Sequence, residues 1–105
     1  MKRSELFQKV REEMKSEARE IRAFKLMRKQ DARGDTPLWQ IESKILCLRS
    51  QFRHKHIAIC ELRGTPRELI EHPNKFNEPS EVAIKSWKDV WASQIDVEEA
   101  VEAHA

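Results

Sequence analysis

The residues with the most reactive chemistry in this chain are cysteines and histidines near its middle. Cys60 follows His56 by four residues, so a helix would place the thiol and the imidazole on one face. Such a pair is a workable start for a zinc site, with His54, Cys47 and His72 as further donors. A structural zinc site needs four ligands, however, and the chain has no Cys-x-x-Cys spacing to complete the set. We predict no metal and no cofactor.

Nucleophilic catalysis by Cys47 or Cys60 would need a base and a group that stabilises an oxyanion. His56 is the base at hand for Cys60, but a helix interior is a poor place for an oxyanion site. Two glycines in the whole chain cannot build a phosphate-binding loop. The neighbouring carboxylates Glu98 and Glu99 fall in an acidic terminal stretch. The sequence therefore predicts a non-enzymatic protein without a small-molecule substrate.

Two long amphipathic helices are predicted to position these residues. The first covers residues 4–32: Ser4 is a good N-cap, and seven apolar residues between Leu6 and Phe24 fall within an arc of about 120° at 100° per residue. The second covers residues 36–63, with Thr36 as N-cap and Pro37 as the first helical residue. Its apolar seam steps by three and four residues and skips one position. The seam residues are Leu38, Ile41, Ile45, Leu48, Phe52, Ile59 and Leu62, and the skipped position is Lys55.

The rest of the chain is predicted to be a short third helix at residues 65–72, a proline-rich loop, a fourth helix at residues 80–95 and an acidic tail at 96–105. Ser80 is the predicted N-cap of the fourth helix. The apolar side of that helix is expected to carry Val82, Ala83, Trp87, Val90 and Trp91. We predict an all-α fold in a single domain of residues 1–105. Its core would be a long antiparallel helical hairpin, with the third and fourth helices packed on the basic end.

Charge is distributed unevenly along the chain. Its net charge is only +2, but residues 43–67 carry six Lys and Arg against one Glu, whereas residues 68–105 carry nine Asp and Glu against three Lys. A basic middle and an acidic end indicate an electrostatic partner or self-neutralisation. The residues predicted to bind nucleic acid or another partner are Arg49, Arg53, Lys55, His56, Arg63, Arg67, Lys85 and Lys88.

A helix-turn-helix-like arrangement gives the leading functional hypothesis. The second helix ends at Gly64, and the aliphatic Ile70 follows six residues later, which is the skeleton of that motif. Arginines around Gly64 would contact phosphates. Against this, Pro73 would stop the next helix after about seven residues, which is short for a helix that reads a DNA groove. We interpret the chain first as a small DNA-binding or regulatory protein.

The alternative is a protein-binding module, such as an adaptor or an inhibitor of a larger complex. Small, charge-dense helical proteins of phages and mobile elements often have such roles. The second helix supports this hypothesis because Leu46 and Ile57 form a second apolar stripe about 140° from its main seam. One partner helix cannot cover the seam and this second stripe together. Either the C-terminal helices or another chain must cover this second stripe. A homodimer and a partner helix in a groove therefore both remain open.

A reducing compartment is expected for this chain. Cys47 and Cys60, on one predicted helix, would lie roughly 20 Å apart, which excludes a disulfide between them. Free thiols suit the cytoplasm. No apolar run reaches the length of about 18 residues that a membrane span requires, and the N-terminus has no apolar signal region. We expect a cytoplasmic protein that does not enter membranes.

Overall fold

Helices make up the regular structure of the part of this chain that the structure describes. A computed structural model describes residues 1–30, 34–70 and 79–95. Those ranges contain three α-helices, one 3₁₀ turn and no strand, which confirms the predicted all-α class. The helices are α1 (Arg3–Gln30), α2 (Leu38–Leu62) and α3 (Glu81–Gln94), and the 3₁₀ turn is Arg67–Leu69. None of the helices in these ranges is long and apolar enough to cross a membrane. The predicted acidic tail, 96–105, lies outside the described residues.

Both ends of α2 follow from proline and glycine. The predicted cap at Thr36 is wrong by one residue: Pro37 is the N-cap, in an extended conformation, and its carbonyl accepts from the N–H groups of Gln40 and Ile41 at 3.0 and 3.4 Å. At the other end, Gly64 has a φ of +92°, which a glycine adopts without strain. The N–H of Thr65 then donates to the Cys60 carbonyl at 3.0 Å. This closing bond satisfies a carbonyl that the end of the helix leaves unpaired.

The short third helix predicted at residues 65–72 is replaced by the 3₁₀ turn, Arg67–Leu69. Pro66 is extended before the turn, and Ile70 is extended after it, with ψ of 119°. Because the backbone leaves the helical conformation at Ile70, the side chain of that residue can enter the core, where it is buried. Residues 71 and 72, the last two of the predicted helix, lie outside the described residues.

Helix α3 begins as predicted, but the face that it buries matches the predicted one only in part. The Ser80 hydroxyl accepts from the Ala83 N–H at 3.3 Å, so Ser80 is the expected N-cap. Ile84 and Trp91, seven residues apart, are the buried residues, whereas Val82 and Val90 are exposed. The predicted apolar side included both valines. The difference follows from the two indole rings, whose size makes the Trp87–Trp91 side the one that gains most from burial.

The core lies where α1, α2 and α3 meet. Its buried members are Leu6, Val10, Ile57, Ala58, Ile59, Ile70, Ile84 and Trp91. Full burial of an aliphatic side chain such as Leu6 or Ile57 stabilises the fold by about 1.5–3 kcal/mol. Ile57, which the sequence left without a partner, is thus covered by the chain itself.

The contacts between α1 and α2 extend over most of their length. The Arg3 guanidinium donates to the Leu62 carbonyl at 2.9 Å, which joins the start of α1 to the end of α2. Near the other ends, the Lys44 ammonium lies 5.5 Å from the centre of the Phe24 ring. Ile21 and Ile45 are buried between these two contacts, and Ile41 is buried just beyond the second one.

Lys55, the polar position in the seam of α2, is buried with only 8% of its surface exposed. Its ammonium group forms an ion pair with Glu17 of α1. The same ammonium lies 4.7 Å from the centre of the Trp87 ring of α3, where a cation–π contact adds to the ion pair. Lys55 therefore connects all three helices through one charged group.

Breaking this ion pair on one side should be strongly destabilising. Lys55→Met leaves the Glu17 carboxylate buried without its cation, which should lower the free energy of unfolding by about 3–5 kcal/mol. Lys55→Met combined with Glu17→Leu removes both charges and should recover most of that loss. Urea titration followed by circular dichroism measures both effects. Lys85→Met, in an exposed pair with Asp89, is the matched control. Equal losses in Lys55→Met and Lys85→Met would contradict the role given to Lys55.

Candidate functional site

Four of the eight residues predicted to bind a partner lie on one face of α2. Arg49, Arg53, His56 and Arg63 follow each other by four, three and seven residues, which keeps them on one side of a helix. Arg49 and Arg63 are exposed, and Arg53 and His56 are half-buried. These four residues, which we call the α2 stripe, form a line parallel to the helix axis.

The other four predicted residues contact carboxylates of the same chain. Lys55 pairs with Glu17 in the core. On the surface of α3, the Lys85 ammonium lies 2.8 Å from Asp89. That contact raises the pKa of Lys85, chiefly through the hydrogen bond it donates to Asp89. The structure thus separates the residues that the sequence grouped as one basic patch.

Arg67 is the most strongly engaged of these four cations. Its Nη2 lies 2.7 Å from Glu61 Oε1 of α2, and its Nη1 lies 2.6 Å from Glu81 Oε1 of α3. Lys88 is 3.9 Å from the same Glu61 oxygen. Hydrogen bonds to Glu81 and then to Glu61 raise the pKa of Arg67, and the Arg67 hydrogen bond lowers the pKa of Glu81. Arg67 therefore links the 3₁₀ turn to α2 and α3.

An open groove lies between α1 and α2, with a volume of about 690 Å³. Its lining residues are Phe7, Val10, Arg11, Glu12, Met14, Lys15, Ala18, Arg19, Arg22, Phe52, His56, Ile59, Cys60 and Arg63. Helix α3 contacts a different side of α2, through His54, Lys55 and Glu61. The groove is therefore the side of the α1–α2 pair that α3 leaves uncovered.

The floor of the groove is apolar and its rim is cationic. Phe7, Val10, Met14, Phe52 and Ile59 form the floor. The α1 side of the rim carries Arg11, Lys15, Arg19 and Arg22, and Arg63 of the α2 stripe lies on the other side. Glu12 is the single acidic side chain among the described residues that line the groove. This surface thus combines apolar area with a concentration of positive charge.

The cations of α1 were not predicted as site residues. Arg11, Lys15, Arg19 and Arg22 follow each other by four, four and three residues, so they share one face of the helix. That spacing of like charges was the available signal. It went unused because Glu, Lys and Arg on the outer side of an amphipathic helix usually form a solvated surface.

Phe7 closes one end of the groove floor with two cations above it. The guanidinium carbons of Arg3 and Arg63 lie 5.5 and 5.6 Å from the centre of its ring. These distances are within the range of cation–π attraction. The hydrogen bond from Arg3 to the Leu62 carbonyl fixes one of these cations in place. The Phe7 ring is therefore held by its own chain.

The Cys60–His56 pair is present, with the sulfur 3.9 Å from both ring nitrogens. Burial raises the pKa of the Cys60 thiol, and the nearby Arg63 charge partly opposes that rise. His54 is directed elsewhere, since its Nε2 accepts from the Ser80 N–H at 2.9 Å. No group of three His, Cys, Asp or Glu side chains able to hold a metal occurs among the described residues, and His72 lies outside them.

A second apolar surface lies on the half of α2 that α3 does not reach. Trp39 and Leu46, seven residues apart, are 64% and 65% exposed. An α-helix rises about 1.5 Å per residue, so the 14 residues of α3 span about 21 Å against about 37 Å for the 25 residues of α2. Leu46 thus lacks the cover that α3 gives to Ile57.

No protein-family model, curated protein or solved structure matches this chain. The function is therefore inferred from the geometry and charge of the two surfaces described above.

Acid should weaken the Arg67–Glu81 contact. The pKa of Glu81 in the folded protein lies below its ordinary value of 4.5, so the contact stabilises the fold above pH 4.5 and is lost as the pH falls through the lowered pKa. Glu81→Gln should therefore show a smaller fall in urea midpoint than the wild type between neutral pH and pH values below 4.5. Glu68→Gln, an exposed change in the adjacent 3₁₀ turn, is the control. An unchanged pH dependence in Glu81→Gln would contradict the assignment.

The two thiols should react at different rates. Cys47 is exposed, whereas Cys60 is half-buried and has a raised pKa, so less of it is thiolate at neutral pH. Iodoacetamide should therefore modify Cys47 first, as resolved by mass spectrometry of peptides. A higher pH should speed the modification of Cys60 by increasing its thiolate fraction. If Cys60 reacts as fast as Cys47 at neutral pH, the groove near Cys60 is more open than described.

Proposed function

We propose that this protein is a non-catalytic protein-binding module that holds a helical segment of a partner in the groove between α1 and α2. The groove itself carries the proposal, because it joins an apolar floor to a charged rim. Protein interfaces have this anatomy: an apolar centre from which water is excluded, surrounded by polar residues. Arginine and aromatic side chains, both present here, are common where binding energy is concentrated.

The position of the groove between two packed helices also favours a helix as the ligand. Two packed helices leave a furrow on each side of their line of contact, and a third helix fits such a furrow by packing ridges into grooves. Helix α3 takes one side of the α1–α2 pair through Lys55 and Glu61. The groove is the equivalent place on another side of the pair.

Architecture and location are inferred together with this function. We infer that α1 and α2 form one antiparallel hairpin, with α3 folded against its basic end, in a single domain. The order of contacts supports this, since Arg3 pairs with Leu62, Glu17 with Lys55 and Phe24 with Lys44. The free thiols of Cys47 and Cys60 support a reducing compartment such as the cytoplasm.

Nucleic-acid binding is the second candidate, favoured by the α2 stripe and the facing cations of α1. The row of Arg and Lys on α1, together with the arginines of the α2 stripe, would attract a phosphate backbone. Two observations weigh against the helix-turn-helix form. The segment after Gly64 is a three-residue 3₁₀ turn, too short to enter a DNA groove, and Arg67 there pairs with Glu61 and Glu81. A duplex would also leave the apolar floor unused.

Photo-crosslinking in the native host tests the proposal. A benzophenone amino acid replacing Met14, in the groove, should give a discrete crosslinked protein whose attachment site lies in a helical segment. The same amino acid replacing Val82, which is 81% exposed on α3, is the control for random encounters and should not give that product. A Phe52→Ser change in the Met14 derivative should lower the yield several-fold, provided circular dichroism shows an unchanged helix content.

Nucleic acid is the outcome that would overturn this proposal. If the Met14 derivative crosslinks to DNA or RNA, and nuclease treatment removes the product, the protein-binding function is wrong. Binding of random duplex provides the independent check. Under our proposal the affinity is negligible near physiological salt. Under the nucleic-acid alternative it falls steeply with salt, and Arg53→Ala with Arg63→Ala flattens that dependence.

A further inference from the structure

We propose that the groove selects one class of partner: an amphipathic helix with acidic flanks, supplied by another protein. This inference rests on the proposed function and specifies its ligand. The relevant observation is that the two walls of the groove carry the same sign of charge. Five cations line it, namely Arg11, Lys15, Arg19, Arg22 and Arg63, against the single acidic residue Glu12.

The positive charge of the rim is largely uncompensated. Arg11 and Arg22 make no ion pair within the described residues, and Glu12 approaches Lys15 at 3.5 Å in an exposed contact. Exposed pairs of this kind are weak because water screens them. On the α3 side of the protein the opposite holds, since Lys55, Arg67 and Lys85 all pair with carboxylates. Among the described residues, the rim of the groove therefore carries cations that the chain's own carboxylates largely leave unneutralised.

The spacing of these cations matches that of a helix lying beside them. Arg11, Lys15 and Arg19 recur every four residues, which corresponds to a rise of about 6 Å per step. Glu or Asp residues at i and i+4 on a partner helix recur at the same interval. A helix that runs along the groove can thus place one carboxylate near each cation of α1. Carboxylates on its other flank would face Arg63.

The floor supplies the matching apolar contacts. Phe7 and Met14, seven residues apart on α1, and Phe52 of α2 are half-buried and keep apolar surface available in the groove, whereas Val10 and Ile59 are almost fully buried. A partner with Leu or Phe at i, i+3, i+4 and i+7 would place one apolar stripe on this floor. The unbranched thioether of Met14 can adapt to side chains of different shape.

Charge disfavours a second copy of this chain as the occupant. In a dimer joined groove to groove, the cationic rims of both copies would face each other, and the repulsion would oppose association. An acidic helix would instead be attracted by the cationic rim. It also gains in association rate, because the cationic walls attract it from a distance.

Designed peptides test this inference on the full chain. The probe is a fluorescein-labelled helix of about 18 residues, long enough to be partly helical alone, with Leu at i, i+3, i+4 and i+7 and Glu on both flanks. Two matched peptides replace every flanking Glu with Gln or with Lys. We expect the Glu peptide to bind at least ten-fold more tightly than the Gln peptide, and this advantage to shrink as NaCl rises from about 0.05 to about 0.5 M. Fluorescence anisotropy measures the affinities.

Charge reversal makes the test specific to the groove. Arg11→Glu with Arg19→Glu should weaken the Glu peptide at least ten-fold and strengthen the Lys peptide. Lys2→Glu with Lys9→Glu changes the net charge equally at exposed positions that do not line the groove, and should leave both affinities within about two-fold. Circular dichroism checks that all variants keep their helix content.

The two cysteines report where the peptide binds. Cys60 lines the groove and Cys47 does not, so a bound peptide should slow iodoacetamide modification of Cys60 and leave Cys47 unchanged. Failure of the Glu peptide to protect Cys60 at about 1 mM would overturn the inference, because that corresponds to a binding free energy weaker than about −4 kcal/mol.

Three further outcomes would overturn the inference in distinguishable ways. If the Gln peptide binds as tightly as the Glu peptide and protects Cys60, the groove binds a helix but does not select acidic flanks. If an oligonucleotide protects Cys60 and none of the peptides does, the proposed protein-binding function is wrong as well. Faster modification of Cys60 in the full chain carrying Glu98→Lys, Glu99→Lys and Glu102→Lys, without peptide, would show that the chain's own acidic segment occupies the groove.

Discussion

The buried ion pair between Lys55 and Glu17 is the constraint on which the arrangement of helices depends. A charge removed from water must keep its partner, so α1 and α2 can pack only in the register that brings these two side chains together. The same ammonium holds Trp87 of α3 above it, which fixes the side of α2 on which the third helix lies. A seam of aliphatic residues alone would tolerate sliding by one turn. A single buried polar position is a known way to remove that freedom.

The placement of α3 decides which apolar surface is covered and which is left open. Ile84 and Trp91 meet Leu6 and Ile57 on one side of the α1–α2 pair and bury them. Val10 and Ile59 belong to the same buried cluster, while Phe7, Met14 and Phe52, which line the groove, remain half-exposed. The groove therefore arises because the described residues place one helix against α1 and α2, where the two-helix scaffold offers room for two. Half-exposed aromatic and thioether side chains are the surface that such a scaffold presents to a partner.

Local patterns predicted the helices well and their mutual contacts poorly. The spacing of apolar residues found α1, α2 and α3, and Ser80 and Gly64 marked their ends, because helix formation and capping depend on neighbours in sequence. The partners of Lys55 and Arg67 lie 38 and 14 residues away, in Glu17 and Glu81, and no local pattern encodes those pairs. The cations of α1 escaped notice for the same reason: Arg11 and Arg19 become part of a site only when α2 places an apolar floor beside them.

Half of the predicted basic residues form ion pairs within the chain, so the net charge alone does not describe the surface that a partner meets. A total of +2 suggests a weak field in all directions. In the folded chain, however, the carboxylates of Glu17, Glu61 and Glu81 neutralise cations on the α3 side, whereas the lining of the groove carries five cations against one carboxylate. Positive charge is therefore unevenly distributed over the surface. The cationic rim and the apolar floor of the groove together determine which ligand binds. Charge attracts an acidic ligand to the groove, and burial of apolar area retains only a ligand whose shape fits.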